Sequence, residues 1–324
     1  DAPRLCALEP KPHRECQADP EPPQRGVGRE ESDAITPSAS QPAPAIVAFM
    51  DLRAQDQTPS DQPARDRHSS GPIAAWWLGR TQYRDAWDLQ HRVVTARAAD
   101  LIGDQLLLLE HEPVLTLGRH SDPAHVLAST DELATRGLEL IRVERGGEVT
   151  YHGPGQLVAY PIVRLADRGL LIRPLVRALE AALAETCRSF KVEAGPKEGY
   201  PGCWCRDGSR KIGAVGVRVE RGVSYHGIAL NVSIRLADFG LIDACGLPGI
   251  ESTSIGRELG DPFGPTTESV EVAAAVFGPA LANALGATLI EPVPHGVDPV
   301  RARGALEELL ALGPVADPII AGAL

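Results

Sequence analysis

The sequence predicts an α/β domain, in which a mixed sheet is flanked by helices, over about residues 73–291. Two observations lead to this prediction: strand-like apolar runs alternate with segments of helical periodicity, and turn residues separate them. The chain has 324 residues, which allows one large domain or two smaller ones. Its hydrophobic content of 43% is ordinary for a soluble globular protein and excludes a wholly disordered chain.

Apolar patterning sets the order of the expected elements. Strands are expected over 73–78, 106–109, 114–117, 157–163, 212–219, 223–232 and 287–290. The run 106–109 is continuously apolar, as in a strand buried on both faces. The turn 220–222 ends in glycine, as in a hairpin. Helices are expected after Thr81, which suits a helix cap, after Pro174, which suits a helix start, and over 272–285 and 304–312.

Both ends of the chain differ from its middle. Residues 1–72 hold 12 of the 28 prolines and few large apolar side chains, so they cannot bury enough surface to offset their ordering entropy. We expect a disordered Pro-rich extension there and a C-terminal tail over 292–324. The chain starts at Asp1 and its one methionine is Met50, so one hypothesis is that translation begins at Met50.

The charge and cysteine content restrict the partners and the compartment. A net charge of −11 argues against a general nucleic-acid or anionic-membrane binder. No apolar run approaches the roughly 20 residues of a membrane-spanning helix. Six irregularly spaced cysteines are too few for a disulfide scaffold, so a reducing, cytoplasmic location is expected. Residues 142–221 nevertheless carry 14 basic and nine acidic side chains, a local excess that would steer acidic protein partners.

Four segments concentrate polar and small residues. The densest, RGGEVTYHGPGQ, runs from Arg145 to Gln156. Its four glycines let a ligand approach the main chain closely, although a surface turn is the alternative. In the second, 211–219, small and β-branched residues follow Lys211, as in a strand with one flat face; an ordinary exposed lysine is the alternative there. The remaining two segments are 224–232 and 244–254.

The cysteines differ in their surroundings. Cys245 precedes a glycine in an expected loop, where a thiol is reachable. Cys187 continues the apolar face of the helix after Pro174 and is expected in the core. Cys203 and Cys205 form a C-x-C pair with no second pair, so we expect no metal site and keep metal as a minor alternative. The sequence has no H-E-x-x-H motif and no phosphate-binding P-loop.

Four motifs together resemble the octanoyltransferases, also called the lipoate-protein ligase B family. They are RGGEVTYHGPGQLVAYP (145–161), KIGAVGVRV (211–219), HGIALN (226–231) and CG (245–246), and their order and spacing match. The resemblance implies the α/β fold of the biotin/lipoate protein ligase catalytic domain. It also implies transfer of an octanoyl group, without a cofactor, from octanoyl-acyl carrier protein to a lysine of lipoyl domains. The implied acceptors are 2-oxoacid dehydrogenase E2 subunits and glycine cleavage H protein.

The resemblance also implies roles for individual residues. Cys245 matches the nucleophile that carries the acyl group as a thioester, and Lys211 matches the lysine that lowers the pKa of that thiol. The implied substrate-binding residues are Arg145, Gly146, Gly147, Glu148, Val149, Thr150, Tyr151, His152, Ala214, Val215, Gly216, Gly227, Ile228 and Ala229. One departure is Ala244, where the family usually has proline; it loosens the loop by removing a fixed φ.

Several alternatives stay open from the sequence. Lys211 or His152 could take the proton of the acceptor lysine in the second transfer. An ATP-dependent lipoate or biotin ligase of the same fold is the nearest rival function. A silent protein that only binds acyl groups or lipoyl domains is a rival from another class, against which the presence of both Cys245 and Lys211 argues. Oligomeric state and preferred acceptor are not predicted.

Overall fold

The computed structural model describes residues 71–243, 250–260, 267–294, 296 and 298–312. The strands are β1 (Ile73–Thr81), β2 (Asp104–His111), β3 (Val114–Leu117), β4 (Glu139–Arg142), β5 (Thr150–His152), β6 (Gln156–Ile162), β7 (Ala194–Lys197), β8 (Tyr200–Cys205), β9 (Arg210–Glu220), β10 (Val223–Asn231), β11 (Glu251–Ser252) and β12 (Leu289–Ile290). The helices are α1 (Tyr83–Ala98), α2 (Thr130–Thr135), α3 (Ile172–Ser189), α4 (Ile255–Glu258), α5 (Thr267–Ala284) and α6 (Pro299–Ala311).

Two sheets organise these elements. The larger has the strand order β12-β1-β2-β6-β10-β9-β8-β7, and β11 pairs with β9 beside this path. β1 is parallel to β2 and to β12, and the other neighbours along the path are antiparallel. The parallel β1–β2 pair is joined by α1, as a crossover connection requires. The smaller sheet has the order β4-β3-β5. The sheets are therefore mixed, as the sequence predicts.

Helices cover both faces of the larger sheet. On one face, α3 and α5 pack through Leu179, Leu183 and Phe277 onto alternate strand residues. On the other face, α1 and α6 pack through Leu89 and Leu306 onto the intervening strand residues. Because both faces are buried, the central strands are apolar throughout, as the run in β2 indicates.

Most predicted elements are confirmed. The hairpin between β9 and β10 turns at Arg221 and Gly222, whose φ angles are 51° and 78°. Positive φ at both central residues is typical of a type I′ turn, whose backbone twist matches the twist of the two strands that it joins. Pro174 lies in the first turn of α3. Cys187 is fully buried, as expected.

Two expectations need correction. Thr81 does not cap α1: it ends β1, and its hydroxyl donates to Leu78 O (3.3 Å) while Gln82 takes the cap position. The described fold also continues beyond residue 291. In α6, Ala302 and Leu306 are buried in the core with residues of α1 and β1. Residues 1–70 and 313–324 lie outside the described ranges. Among the described residues, no helix combines the length and apolarity needed to cross a membrane.

Candidate active site

A buried arginine holds the loop that joins β4 to β5. Arg145 is 8% exposed. Its guanidinium donates to Thr116 O (2.7 Å) and Thr116 Oγ1 (2.8 Å) in β3. It also donates to two carbonyls of its own loop, Gly146 O (3.1 Å) and Glu148 O (2.8 Å). The side chain therefore points inward and shapes the loop from beneath.

The glycines after Arg145 lie directly against neighbouring backbone. Gly146 N donates to Val217 O of β9 (3.3 Å). A Cβ atom at Gly216 would lie 2.8 Å from Gly146 O, and one at Gly118 would lie 1.9 Å from Gly147 O. Side chains at positions 216 and 118 would push the backbones apart, so only glycine permits this approach. The structure thus brings the first two sequence motifs into contact.

Small residues of β9 and β10 stand opposite one another beside this loop. In the register of the two strands, Ala214 pairs with Ala229 and Gly216 with Gly227. Alternate residues of a strand share a face, so Ala214 and Gly216 lie on the same side of β9. Gly216 faces the loop, because Gly146 O stands where its side chain would be. This side of β9 therefore has little side-chain volume.

The other predicted pocket residues are placed differently. Val215 and Ile228 are buried in the core on the opposite face, with residues of α3 and α5. A Cβ at Gly227 would lie 2.0 Å from Ala159 O, so this glycine permits close packing of β10 on β6. Only part of the set expected to line an acyl slot thus turns toward the glycine-rich loop.

The second half of the loop is anchored in the smaller sheet. Val149 and Tyr151 are buried in the core of that sheet. Thr150 lies half-buried in β5, and Glu148 Oε2 lies 3.2 Å from His125 Nδ1. The loop therefore has inward-turned side chains at alternate positions and glycines that pack against neighbouring backbone.

A buried aromatic and histidine cluster adjoins the loop. The His152 ring stacks on Tyr83 (centroids 5.9 Å apart) and meets His111 edge-on (5.6 Å). His111 Nε2 lies 2.7 Å from Tyr160 OH. Burial lowers the pKa of His111 to about 4. Burial, and then the charges of His111 and Arg145, lower the pKa of His152 well below its ordinary value. Both imidazoles are therefore neutral near pH 7.

Sequence reasoning missed two members of this cluster. Tyr160 lies within the first motif, so its position in the sequence could have marked it as a candidate site residue. Tyr83 comes from α1 and has no local motif around it. It also missed Glu144, the residue before Arg145. Glu144 accepts from Trp87 Nε1 (3.1 Å), and its Oε1 lies 3.0 Å from His91 Nε2.

Glu144 and His226 form an acid and imidazole pair beside the cluster. Their Oε1 and Nε2 atoms are 3.7 Å apart, and the His226 side chain is 1% exposed. Burial opposes ionisation of Glu144, yet His226 and Trp87 lower its pKa to about 2. Burial lowers the pKa of His226, against the opposing influence of Glu144. The carboxylate is therefore the charged member of the pair near neutral pH.

Lys211 lies near the start of β9 in a space that a glycine provides. Its Nζ is 5.3 Å from the ring centroid of Trp204. A Cβ at Gly202 would lie 2.9 Å from Lys211 Cε. The backbone of Lys211 pairs with Ser252 of β11, and Lys211 O accepts from Thr253 N (2.9 Å). The chain after residue 249 therefore returns beside the lysine.

Cys245 lies in 244–249, outside the described residues. The described cysteines Cys187, Cys203 and Cys205 are buried free thiols. Burial raises the pKa of Cys205 to about 11, with the charge of Glu258 adding to this. Cys205 is therefore a thiol near neutral pH and a poor nucleophile. Over the described part of the chain, no three His, Cys, Asp or Glu side chains are grouped to hold a metal ion.

Comparisons with known proteins agree with this fold. The family model of the lipoyl protein ligase A/B catalytic domain matches residues 82–276. An octanoyltransferase of Chloroflexus aurantiacus is 45% identical over 189 residues, covering 58% of this chain and 85% of the relative. One from Acidobacterium capsulatum is 46% identical over 213 residues, covering 62% and 87%. One from Corynebacterium efficiens is 45% identical over 210 residues, covering 63% and 80%.

Solved structures show the same fold at low sequence identity. A lipoate-protein ligase A bound with ATP has a TM-score of 0.54 at 15% identity, covering 79% of this chain and 100% of that one. A bi-partite lipoate protein ligase from Thermoplasma acidophilum has a TM-score of 0.54 at 16% identity, covering 79% and 98%. At these identities the likeness concerns the fold alone.

The fold is that of a lipoyl protein ligase A/B catalytic domain, whose family model covers residues 82–276. Within that class, the chain belongs to the octanoyltransferase family, because its identity to several members is high and it covers most of their length. The resemblance seen in the motifs is confirmed, and so is the prediction of an acyltransferase.

Proposed function

We propose that this enzyme moves an octanoyl group from octanoyl-acyl carrier protein to a lysine of lipoyl domains, through a thioester on Cys245. The observation that carries the proposal is the pairing of Ser252 in β11 with Lys211 in β9. Cys245 lies seven residues before Ser252, and an extended chain of that length spans at most about 25 Å. Chain connectivity therefore limits the separation of the two residues and permits, without requiring, an approach of the thiol to Lys211.

The acyl chain would lie beside the contact between the glycine-rich loop and β9. Gly146 packs there against Gly216, and Ala214 and Gly216 give this part of β9 little side-chain volume. A linear apolar group fits such a surface. Each methylene changes binding by about 1–3 kcal/mol. We therefore expect a preference for eight carbons over shorter and longer chains rather than absolute selection.

The proposed reaction has two balanced steps. The Cys245 thiolate attacks the carbonyl carbon of the donor thioester; a new C–S bond forms, the old one breaks, and the carrier leaves as a thiol after taking a proton. The acceptor lysine then attacks the enzyme thioester; a C–N bond forms, the Cys245 C–S bond breaks, and the amine loses a proton. A free thiol has a pKa of about 8.5 and is therefore mostly protonated at neutral pH. In the proposed site, the Lys211 ammonium stabilises the Cys245 thiolate and raises the fraction of the thiol that is ionised.

The proposed partners are acidic carrier proteins. Donor and acceptors would be octanoyl-acyl carrier protein, the lipoyl domains of 2-oxoacid dehydrogenase E2 subunits and glycine cleavage H protein. The basic excess over 142–221 supports steering of such partners. We also propose a cytoplasmic location, which the free thiols of Cys187, Cys203 and Cys205 support.

Intact-mass measurement tests the covalent step. The full chain is incubated with octanoyl-acyl carrier protein, and we expect one octanoyl adduct on the wild type and none on Cys245→Ala. Cys205→Ser is the matched control, because its thiol stays protonated, and it should keep the adduct. An octanoyl adduct on Cys245→Ala would overturn the assignment of the nucleophile.

The role of Lys211 has an unusually close control. Lys197 Nζ lies 4.7 Å from the same Trp204 ring that Lys211 approaches. We expect Lys211→Ala to move alkylation of Cys245 to higher pH and Lys197→Ala to leave it unchanged, with Cys205→Ser as the common background. Equal alkylation profiles in the two lysine variants would refute the proposed role.

The rival reading is an ATP-dependent ligase, since one structure of the same fold binds ATP. A ligase would exchange pyrophosphate into ATP in the presence of octanoate, and it would not need Cys245. We expect no exchange of pyrophosphate into ATP. We also expect transfer of the octanoyl group from octanoyl-acyl carrier protein to an apo lipoyl domain. Exchange that survives Cys245→Ala would favour the ligase.

A further inference from the structure

A chain of buried amide hydrogen bonds runs from His152 to the segment that follows residue 249. Gln156 Oε1 lies 2.7 Å from His152 Nδ1. Gln156 Nε2 donates to Asn231 Oδ1 (2.9 Å), and Asn231 Nδ2 donates to Thr253 O (2.8 Å). His152, Gln156 and Asn231 are 6%, 1% and 5% exposed, so water does not compete for these bonds.

The turn between β5 and β6 brings Gln156 under His152. Gln156 N donates to Gly153 O (3.2 Å), and Gly155 has a φ of 87°. A type II turn typically has proline at its second position and a glycine with positive φ at its third, and Pro154 and Gly155 occupy these positions here. Gly155 O accepts from Val232 N (3.1 Å), which ties the turn to the end of β10 beside Asn231.

Two backbone carbonyls set the direction of this chain. Thr253 O can only accept, so Asn231 must present its amide nitrogen there and its oxygen to Gln156. Tyr151 O can also only accept, and it receives the Gln156 amide nitrogen at 3.2 Å. Both donations of Gln156 are then used, and only its oxygen is left for His152. An acceptor at that place requires a hydrogen on Nδ1 of the imidazole.

We propose that Gln156 and Asn231 are positioning residues that hold His152 in its Nδ1–H tautomer, so that Nε2 keeps the lone pair. Within the described residues, the bond to Gln156 is the hydrogen bond that the His152 ring makes. The Nε2 atom is thus the proton acceptor, and the proton it takes comes from the attacking lysine amine. This last assignment rests on the proposed function; the tautomer itself does not.

The neighbouring His111 has the same tautomer for a different reason. Its Nδ1 lies 3.0 Å from Thr81 O, which can only accept, so Nδ1 carries the hydrogen. Its Nε2 then accepts from Tyr160 OH (2.7 Å). The Nε2 lone pair of His111 is engaged, whereas that of His152 remains for a ligand. The two rings therefore have the same tautomer, but only the Nε2 atom of His152 is available to accept a proton.

Nitrogen NMR of the full chain tests the tautomer directly. The protein is labelled with ¹⁵N, and the ring signals of His152 are assigned by their loss in His152→Asn. We expect the pyridine-type shift on Nε2 and the pyrrole-type shift on Nδ1 at pH 7. The reverse pattern, or an imidazolium, would overturn the inference even if octanoyl transfer is observed. The tautomer is read from the spectrum of the wild type, and His152→Asn serves only to assign the signals.

Gln156→Glu tests positioning. A carboxylate cannot donate to Tyr151 O or to Asn231, and its charge favours the imidazolium, so the His152 titration should move up by about 1–3 pH units. The acidic limb of the pH profile for acyl transfer to the lipoyl domain, where protonation of His152 stops the transfer, should move with it, with KM unchanged and kcat lowered. Asn283→Asp, an exposed amide on α5, is the control and should change neither.

The outcomes separate this inference from the proposed function. A shifted titration with an unshifted transfer profile would refute the positioning role. The expected tautomer in an enzyme that transfers no octanoyl group would refute the proposed function and the Nε2 role, and leave the assigned tautomer standing. A Gln156→Glu titration equal to that of the wild type would contradict the hydrogen-bond chain itself.

Discussion

The hydroxyl of Thr116 tests whether the glycine-rich loop depends on the buried Arg145. We consider Thr116→Val, which replaces a hydroxyl by a methyl group of similar shape. In the structure this hydroxyl accepts from Arg145 Nη2 (2.8 Å) and from Arg145 Nε (3.3 Å). The carbonyl Thr116 O, which also accepts from the guanidinium, is unchanged by the substitution. The variant therefore weakens the arginine's attachment to β3 without removing it.

The magnitude follows from the number and kind of bonds lost. A hydrogen bond to a charged group contributes about 1.5–3 kcal/mol. The two contacts share one acceptor atom, so we count about one full bond. The expected loss in the free energy of unfolding is therefore about 2–3 kcal/mol. In a domain of this size, 1 kcal/mol corresponds to about 2–4 °C in Tm. Thr116→Val should thus melt about 4–12 °C below the wild type.

Urea unfolding and thermal melting give the measurement, and Thr116→Ser is the control. Serine keeps the hydroxyl and loses one methyl group, which accounts for about 0.8 kcal/mol. We expect Thr116→Val to be the more destabilised of the two, with a larger rise in KM for the acyl donor because the loop loosens. If Thr116→Ser were equally or more destabilised, the hydroxyl would not be what holds Arg145.

Three further variants or conditions address the rest of the fold. Leu306→Ala should lower the free energy of unfolding by about 2–5 kcal/mol, measured with urea, because Leu306 is fully buried. Leu312 is 74% exposed and should tolerate the same change. Equal stabilities of the two variants would contradict the packing of α6 in the core. Gly155→Ala should destabilise far more than Gly137→Ala, since both have positive φ but only the first would place Cβ 2.6 Å from backbone; matching melting temperatures would contradict the clash. In the unfolded chain His111 is protonated below about pH 6.5, whereas in the folded chain it stays neutral down to its pKa of about 4. Between these pH values the unfolded state binds more protons, so the free energy of unfolding should fall by about 1.4 kcal/mol for each pH unit of acidification. A urea midpoint constant from pH 7 to pH 5 would refute that reasoning.

The elements that the sequence predicts well are those with strong local patterns. β2 is an uninterrupted apolar run, and the β9–β10 turn has a glycine at one of its two positive-φ positions. The misplaced cap at Thr81 has a physical cause. A threonine suits both a strand end and a helix cap, and here the hydroxyl is taken by Leu78 O of its own strand. Local pattern could not decide between these uses.

The candidate site was predictable where its residues adjoin one another in sequence. The Arg145 loop and the Lys211 strand carry such motifs, and the structure brings them together. The relation of His152 to Asn231 was not predictable in this way. It depends on pairing between β6 and β10, which are separated by more than 60 residues. Tyr83 shows the same limitation, because α1 reaches the cluster through tertiary packing alone.

In the proposed mechanism His152 is a weak base, and its surroundings explain how such a base would serve acyl transfer. Burial and the Arg145 charge both lower the pKa of this imidazole, so it cannot deprotonate a free lysine ammonium to any useful extent. The amine nitrogen becomes strongly acidic only once its bond to the thioester carbon forms. A base of low pKa is sufficient at that point, and it has the advantage of being unprotonated beforehand. His226, which Arg145 also affects, is neutral for the same reasons. Arg145 thus has two effects: it shapes the loop by hydrogen bonds, and its charge adds to burial in lowering the pKa values of His152 and His226.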